Sequence, residues 1–193
     1  MWSKVLSTLR SLAPGVLGGR GLFSVLQAAM PKNGARVRIT TSVQQMLHLW
    51  KHLFATMRTR PTHLCELFPH KPTWFGAIYA CGHGLGGVFF DNKGTPYVWQ
   101  LPLPQHLRES LRTWENPEGQ LSINALELSS HVVQFLLKAP LMAPLEHTLD
   151  GTDSTSAFGW AMKASATRDD MVATLLAWKA LAQHNSIIVS PGT

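Results

Sequence analysis

The sequence predicts a mixed α/β sheet with flanking helices, preceded by a small basic helical segment. Three observations lead there. Residues 2–57 show apolar positions at helical spacing, broken by Gly- and Pro-marked stops. After Pro72 the pattern changes to short β-prone runs joined by tight turns, the pattern of an antiparallel meander. Beyond the meander, helical and strand-like segments alternate, so the later strands return through helices and join a mixed sheet. With 193 residues, 45% of them hydrophobic, the chain has the means to bury a core, and wholesale disorder is excluded.

Each element has a local reason. Val5, Leu6, Leu9 and Leu12 recur at helical spacing, which predicts a helix over 2–13 that Pro14 and Gly15 stop. Gly18, Gly19 and Gly21 predict a loop around Arg20, and 22–30 reads as a second short helix. Pro31 to Gly34 predict a basic turn, and 36–41 a short extended run. A third helix over 42–57 carries Val43, Met46, Leu47, Trp50 and Phe54 on one face. The stretch with Pro61, Pro69 and Pro72 is the candidate linker, which divides the chain into 1–68 and 69–193. Strands are predicted over 74–81, 85–91 and 97–103, with turns at Gly82-His83-Gly84 and Asn92-Lys93-Gly94. A short polar helix over 106–114 follows. Next comes a strong amphipathic helix over 122–138, with Ile123, Leu126, Val133, Leu136 and Leu137 broadly on one side. A fourth strand is predicted over 146–153, helices over 154–165 and 170–184, and a last strand over 185–189. There is no internal repeat.

The charge is uneven. Residues 1–65 hold nine basic residues and no acid, whereas 66–193 hold eight basic and eleven acidic, so the front is +9 and the remainder −3. That asymmetry points to a polyanionic partner, nucleic acid or an anionic surface; the alternative is a solvated basic face. Lys32, Arg36 and Arg38, around the predicted basic turn, are the candidate phosphate contacts. No run approaches eighteen uncharged apolar residues, so no membrane span is predicted. Two cysteines, Cys65 and Cys81, suggest a reducing compartment, and thus an intracellular protein, cytoplasmic or nuclear. An alternative is mitochondrial: residues 1–27 are acid-free, Arg-, Ser- and Leu-rich and partly amphipathic, as in a cleaved presequence.

Two acids stand out chemically. Glu127 sits inside an otherwise apolar helix, where a carboxylate needs a partner or a path to water. Asp153 closes the predicted fourth strand just before a helix start, where it is either a helix N-cap or a ligand. Carboxylates converging from a helix and a strand end are how proteins hold Mg²⁺ or Mn²⁺. His63, Cys65, His70, Cys81 and His83 have the ligand chemistry of zinc but match no closed structural spacing. The Gly82–Gly87 run joins two strands rather than opening a helix, so it is a turn and not a phosphate cradle. No G-x-S-x-G elbow supports a nucleophilic triad.

The segment GAIYACGHGLGGV (76–88) resembles the first hairpin of the RNase H-like domain of retrotransposon reverse transcriptases. LSINALELSS (121–130) resembles that family's first helix, with its N-x-L-E-L entry, and GTDSTSA (151–157) resembles its x-x-D-N-T-x-A strand end. Residues 188–193 are similar to its last strand and P-G-T loop. Upstream, Leu9-Arg10-Ser11 and GGRGLFSVLQ (18–27) resemble the helical thumb and connection of such polyproteins. The resemblance implies a five-stranded mixed sheet and Mg²⁺- or Mn²⁺-dependent hydrolysis of the RNA strand of an RNA–DNA hybrid. It further implies a nucleic-acid partner, hybrid or DNA, with no membrane and no small-molecule substrate. Of the family's four metal-binding acids, Glu127 matches the helix acid and Asp153 the fourth-strand acid. The first-strand acid falls at Tyr79, and the final acidic helix is expected to be missing. The expectation is therefore a degenerate fragment, a thumb-like segment plus an incomplete nuclease domain that hydrolyses nothing or only a trace. The uncovered sheet around Ile187 to Val189 would leave it marginally stable. The alternative is a non-catalytic nucleic-acid-binding module.

Overall fold

The computed structural model describes residues 2–16, 19–30, 37–57, 71–143, 146–163, 175 and 188–192. The chain forms two compact units, Met1–Pro69 with Lys163–Ser186, and His70–Met162 with Ile187–Thr193. The predicted basic turn at Pro31 to Gly34, the linker up to His70 and the helix over 170–184 lie outside the described residues, apart from Leu175.

The first unit is helical. Helix α1 (Trp2–Leu12) ends in a 3₁₀ turn, Ala13–Gly15, with Pro14 at its start. Helix α2 (Gly19–Ala28) and helix α3 (Thr41–Met57) follow. Their apolar stripes meet in one core: Leu6 and Leu9 from α1, Leu22 and Leu26 from α2, and Val43, Met46, Trp50 and Leu53 from α3. The Trp50 and Phe54 rings lie 5.3 Å apart, and the Arg10 guanidinium sits 5.4 Å over the Phe23 ring. Two expectations change. Gly19 opens α2 instead of lying in a loop, because a Cβ there would stand 3.0 Å from the Ala13 carbonyl oxygen and 3.1 Å from the Trp50 ring. Residues 37–40 are irregular rather than extended, because Thr40 caps α3: its hydroxyl accepts the Val43 N–H at 3.3 Å.

The second unit carries the sheet. Strands β1 (Trp74–Cys81), β2 (Gly84–Phe90) and β3 (Pro96–Pro102) form the antiparallel meander, registered Phe75↔Phe90 and Phe89↔Tyr97. Strand β4 (His147–Gly151) runs parallel to β1, with Trp74 opposite Thr148. The body of this open mixed sheet is thus the four strands β3-β2-β1-β4. The edge strand β5 (Ile188–Gly192) extends it, parallel to β4. The last strand is predicted over 185–189 but starts at Ile188, with 185–187 outside the described residues. This is a mixed α/β arrangement with flanking helices.

The β2–β3 turn needs Gly94, which adopts φ +83°. Asp91 holds that turn by accepting the Lys93 and Thr95 N–H groups, each at 2.8 Å. Helix α4 (Gln105–Glu109) is shorter than the predicted 106–114. The chain after it folds into a loop closed by a Leu111↔Leu121 bridge, in which the Asn116 amide donates to the Glu109 and Leu111 carbonyls. Helix α5 (Ile123–Lys138) starts where the pattern predicts, with Ser122 accepting the Ala125 N–H at 3.2 Å. Helix α6 (Thr155–Lys163) follows β4.

Helix α5 packs on β1 and β2, but not through the predicted face. Ile123, Leu136 and Leu137 are exposed, whereas Glu127, Ser130, His131, Gln134 and Lys138 are buried with Leu126, Leu128 and Phe135. The reason lies on the sheet. Gly76 and Gly87 present no side chain toward the helix, and β4 presents Thr148 and Asp150. Longer polar side chains from α5 occupy that space and find partners there.

Candidate functional site

Residue 127 sits on the first turns of α5, whose Ser122 cap and packing on β1 aim it at the end of that strand. The Glu127 side chain is 4% exposed, so it is not a boundary residue reaching water. One carboxylate oxygen accepts the Ala80 N–H at 2.7 Å and the other accepts the Thr152 hydroxyl at 3.2 Å. Thr152 in turn accepts the Ser154 N–H at 3.2 Å. The carboxylate therefore joins the ends of β1 and β4. Burial pushes its pKa up and the Ala80 N–H pulls it back. The negative charge of Asp153 then adds to the rise and the Thr152 hydroxyl opposes it, leaving the balance above the usual carboxylate range.

Asp153 is exposed beside this carboxylate and repels it. It is not the cap of α6. Ser154 takes that role, accepting the Ala157 N–H at 3.1 Å and donating to the Asn124 side chain at 3.2 Å. Ser154 thereby ties the start of α6 to the start of α5. Glu127 and Asp153, far apart in sequence, thus come close enough for their charges to interact. Tyr79 is 58% exposed and belongs to the alternate face of β1, away from α5. Of the basic candidates, Arg38 is exposed in the irregular segment before α3, and Lys32 and Arg36 lie outside the described residues.

The donor chemistry decides what this site can hold. Among the described residues no three His, Cys, Asp or Glu side chains converge as metal ligands. Both Glu127 oxygens are already engaged by protein donors. A two-metal phosphoryl-transfer centre needs several acids around a pair of ions. Glu127 and Asp153 alone do not fit that requirement.

A second polar cluster, which the sequence reading missed, lies deeper. The Lys138 ammonium, fully buried, pairs with Asp150. It also donates to the Thr148 hydroxyl at 2.5 Å and lies 5.5 Å over the Phe89 ring. The Gln134 amide donates to Asp150 at 2.6 Å and accepts the Trp99 indole N–H at 2.8 Å. Burial pushes the Lys138 pKa down more than the Asp150 charge pushes it up. The signal was present as two spacings, Gln134/Lys138 at i, i+4 on a helix and Thr148/Asp150 at i, i+2 on a strand. At the entry to β4, Glu146 accepts from the Trp74 indole and the Ala143 N–H at 2.8 Å each, and from Asn92 at 2.6 Å.

Fold and site together define a mixed α/β domain with a buried carboxylate at the seam of its two central parallel strands. No family model matches the chain, and no curated protein matches it. Among solved structures it is similar to a foamy viral protease–reverse transcriptase in complex with double-stranded DNA. The TM-score is 0.35 at 8% sequence identity, covering 100% of this chain and 31% of that one. The chain therefore spans about a third of the length of that neighbour.

Proposed function

We propose that the chain is a degenerate RNase H-like domain of reverse-transcriptase origin, joined to a basic helical segment, that binds nucleic acid without hydrolysing it. The observation that carries the reading is the placement of Glu127. A helix that crosses from the antiparallel meander to a parallel fourth strand sets this acid between the ends of β1 and β4, beside Asp153. The sheet order β3-β2-β1-β4-β5 supports it. The site supports the loss of hydrolysis: two carboxylates are too few for two ions, and Tyr79, to which the resemblance assigns the first-strand acid, lies on the face of β1 away from Glu127. The +9 charge of residues 1–65 supports a polyanionic partner, with Lys32, Arg36 and Arg38 as phosphate contacts.

The test uses an RNA–DNA hybrid with the full chain. Binding is expected without cleavage in Mg²⁺ or Mn²⁺, with affinity falling steeply between about 50 mM and 200 mM salt. Replacing Lys32, Arg36 and Arg38 together with Ser should flatten that salt dependence. Cleavage that survives purification and disappears in Glu127→Gln would overturn the non-catalytic reading. No binding at low salt would overturn the nucleic-acid reading altogether.

A further inference from the structure

The meander ends on an open edge. In the sheet order β3-β2-β1-β4-β5, strand β3 has a neighbour on one side only. Its sequence, PYVWQLP over 96–102, carries no charge, and every residue but Trp99 is exposed, Val98 at 82%. Tyr97 and Leu101 lie on the helix side of the sheet, where Tyr97 stacks on Phe89 at 5.0 Å. Val98 and Gln100 belong to the opposite face. An uncharged, largely apolar edge of this kind is what sheet proteins ordinarily cover or interrupt with charge, because its free backbone groups template another strand.

The register fixes which backbone groups the edge offers. Leu103 donates to the directly opposite His83 carbonyl at 2.9 Å, and Asp91 donates to the directly opposite Thr95 carbonyl at 3.1 Å. Odd-numbered residues of β3 therefore turn their N–H and C=O groups to β2, and even-numbered residues turn theirs outward. The Trp99 and Leu101 carbonyls agree, lying beside Gly86 and Gly84 of β2. The outward residues are Pro96, Val98, Gln100 and Pro102. Proline has no N–H, so the outward donors of the strand are those of Val98 and Gln100, framed by a proline at each end. This pattern is symmetric about Trp99 and complements itself. We propose that β3 pairs antiparallel with β3 of a second copy of the chain, around a two-fold axis at Trp99. Val98 then exchanges both backbone bonds with the partner's Gln100, and Gln100 does so with the partner's Val98. The ends left over are prolines, which have no donor to leave unsatisfied. The same register sets Tyr97 against the partner's Leu101 on both sides of the axis, an aromatic–aliphatic pair. No Asp, Glu, Lys or Arg lies between Lys93 and Arg108, so no like charges meet along the paired strands. An edge of about five residues a side is small beside the 20–30 of a standard interface, so the dimer is a reversible one. Nucleic acid has no part in the contact, and neither Glu127 nor the basic segment contributes to it.

Sedimentation of the full chain, freed of nucleic acid, reads the association, and amide exchange locates it. The unmodified chain is expected to pass from monomer to dimer with a Kd of about 1–100 µM. The Val98 and Gln100 amides should slow by about tenfold or more as the dimer forms, whereas those of Tyr97 and Trp99, already bonded to β2, should change little. Val98→Pro removes an outward donor and none that β2 uses, a position where an edge strand accepts proline. It should raise the Kd by about tenfold or more, with circular dichroism and melting close to the parent. Val98→Lys, which sets like charges diagonally across the axis, should do the same. If Val98→Pro fails to fold, Val98→Lys and the exchange pattern decide. A chain that stays monomeric throughout that range overturns the proposal. So does a dimer indifferent to Val98→Lys, or one whose Val98 and Gln100 amides exchange as in the monomer, because either result assigns self-association to another surface.

Discussion

The buried pair Lys138–Asp150 gives the most demanding test of how the sheet unit is held together. Both side chains are fully buried, and Asp150 is the anion that balances the ammonium. Asp150→Asn leaves that cation facing only a neutral amide, the Thr148 hydroxyl and the Phe89 ring. Uncompensated buried charges cost about 3–5 kcal/mol when one partner is removed. Lys138→Met leaves the carboxylate with only the neutral Gln134 amide and Thr148 hydroxyl as donors, and should cost a similar amount at neutral pH. The double variant Lys138→Met/Asp150→Asn removes both charges, keeps an acceptor for Gln134 and fills the lysine stem with a chain of similar reach. It should lie above either single variant, with a coupling energy of about 2–3 kcal/mol. Urea unfolding of the full chain gives the free energies, and amide exchange in β1 and β4 gives the local readout. The pH dependence has a defined sign. The folded pKa of Lys138 lies below its ordinary value near 10.5, so in that window the unfolded chain holds more protons. This lysine's contribution is full above pH 10.5 and declines as pH falls through the folded value. Lys138→Met should remove that slope. Additive single and double variants, with coupling below about 0.5 kcal/mol, would refute the reasoning, because a mutually buried pair must couple.

Three further predictions follow from the same geometry. Glu127→Gln should flatten the pH dependence of stability: the folded pKa of Glu127 is raised, so the parent's contribution from this group is full below the ordinary carboxylate value and is lost as pH rises through the folded value, whereas Gln does not titrate. A melting series from acid to neutral pH reads the difference in slope between parent and variant. Glu146→Gln should cost only about 0.5–1 kcal/mol at pH 7, because solvent screens this carboxylate: burial raises its pKa, but the bonds from Ala143, Trp74 and Asn92 outweigh that and hold it low. Stability from Glu146 is therefore present above the ordinary carboxylate value and lost as pH falls through the lower folded value, so the variant's deficit should shrink in acid. Gly87→Ala should cost about 2–3 kcal/mol, because its Cβ would lie 2.3 Å from the Gln134 amide oxygen and 2.7 Å from the Trp99 indole nitrogen. Gly86→Ala one residue away should stay within about 1 kcal/mol of the parent; equal costs at the two positions in urea titration would contradict the assigned faces of β2.

Particular residues show where sequence reading ends. Strand β1 was legible because Trp74, Ile78 and Ala80 alternate with exposed neighbours and Gly82-His83 supplies a turn. The start of α5 was legible because Ser122 is a local cap, its bond closing within three residues. The inward face of α5 was not. Leu136 and Leu137 have the stronger apolar signal, yet they are exposed while Gln134 and Lys138 are buried. Their burial depends on Asp150, sixteen residues beyond Gln134, and on two glycines in other strands. Likewise, Glu127 and Asp153 were recognisable as acids out of place. The partners that hold Glu127, the Ala80 N–H and the Thr152 hydroxyl, come from strand ends that meet only in the folded sheet.

By itself, then, the sequence determined what local chemistry can determine: most element types, turn residues, the charge split and the presence of two misplaced acids. These follow from spacings of a few residues, within which periodicity and short hydrogen bonds act. Only the tertiary structure decided which polar groups are buried, which glycines exist to make room for them, and which sheet face stays open around Tyr79. Those outcomes turn on partners from different elements, because a buried charge or amide is tolerated only where another part of the chain completes its hydrogen bonds.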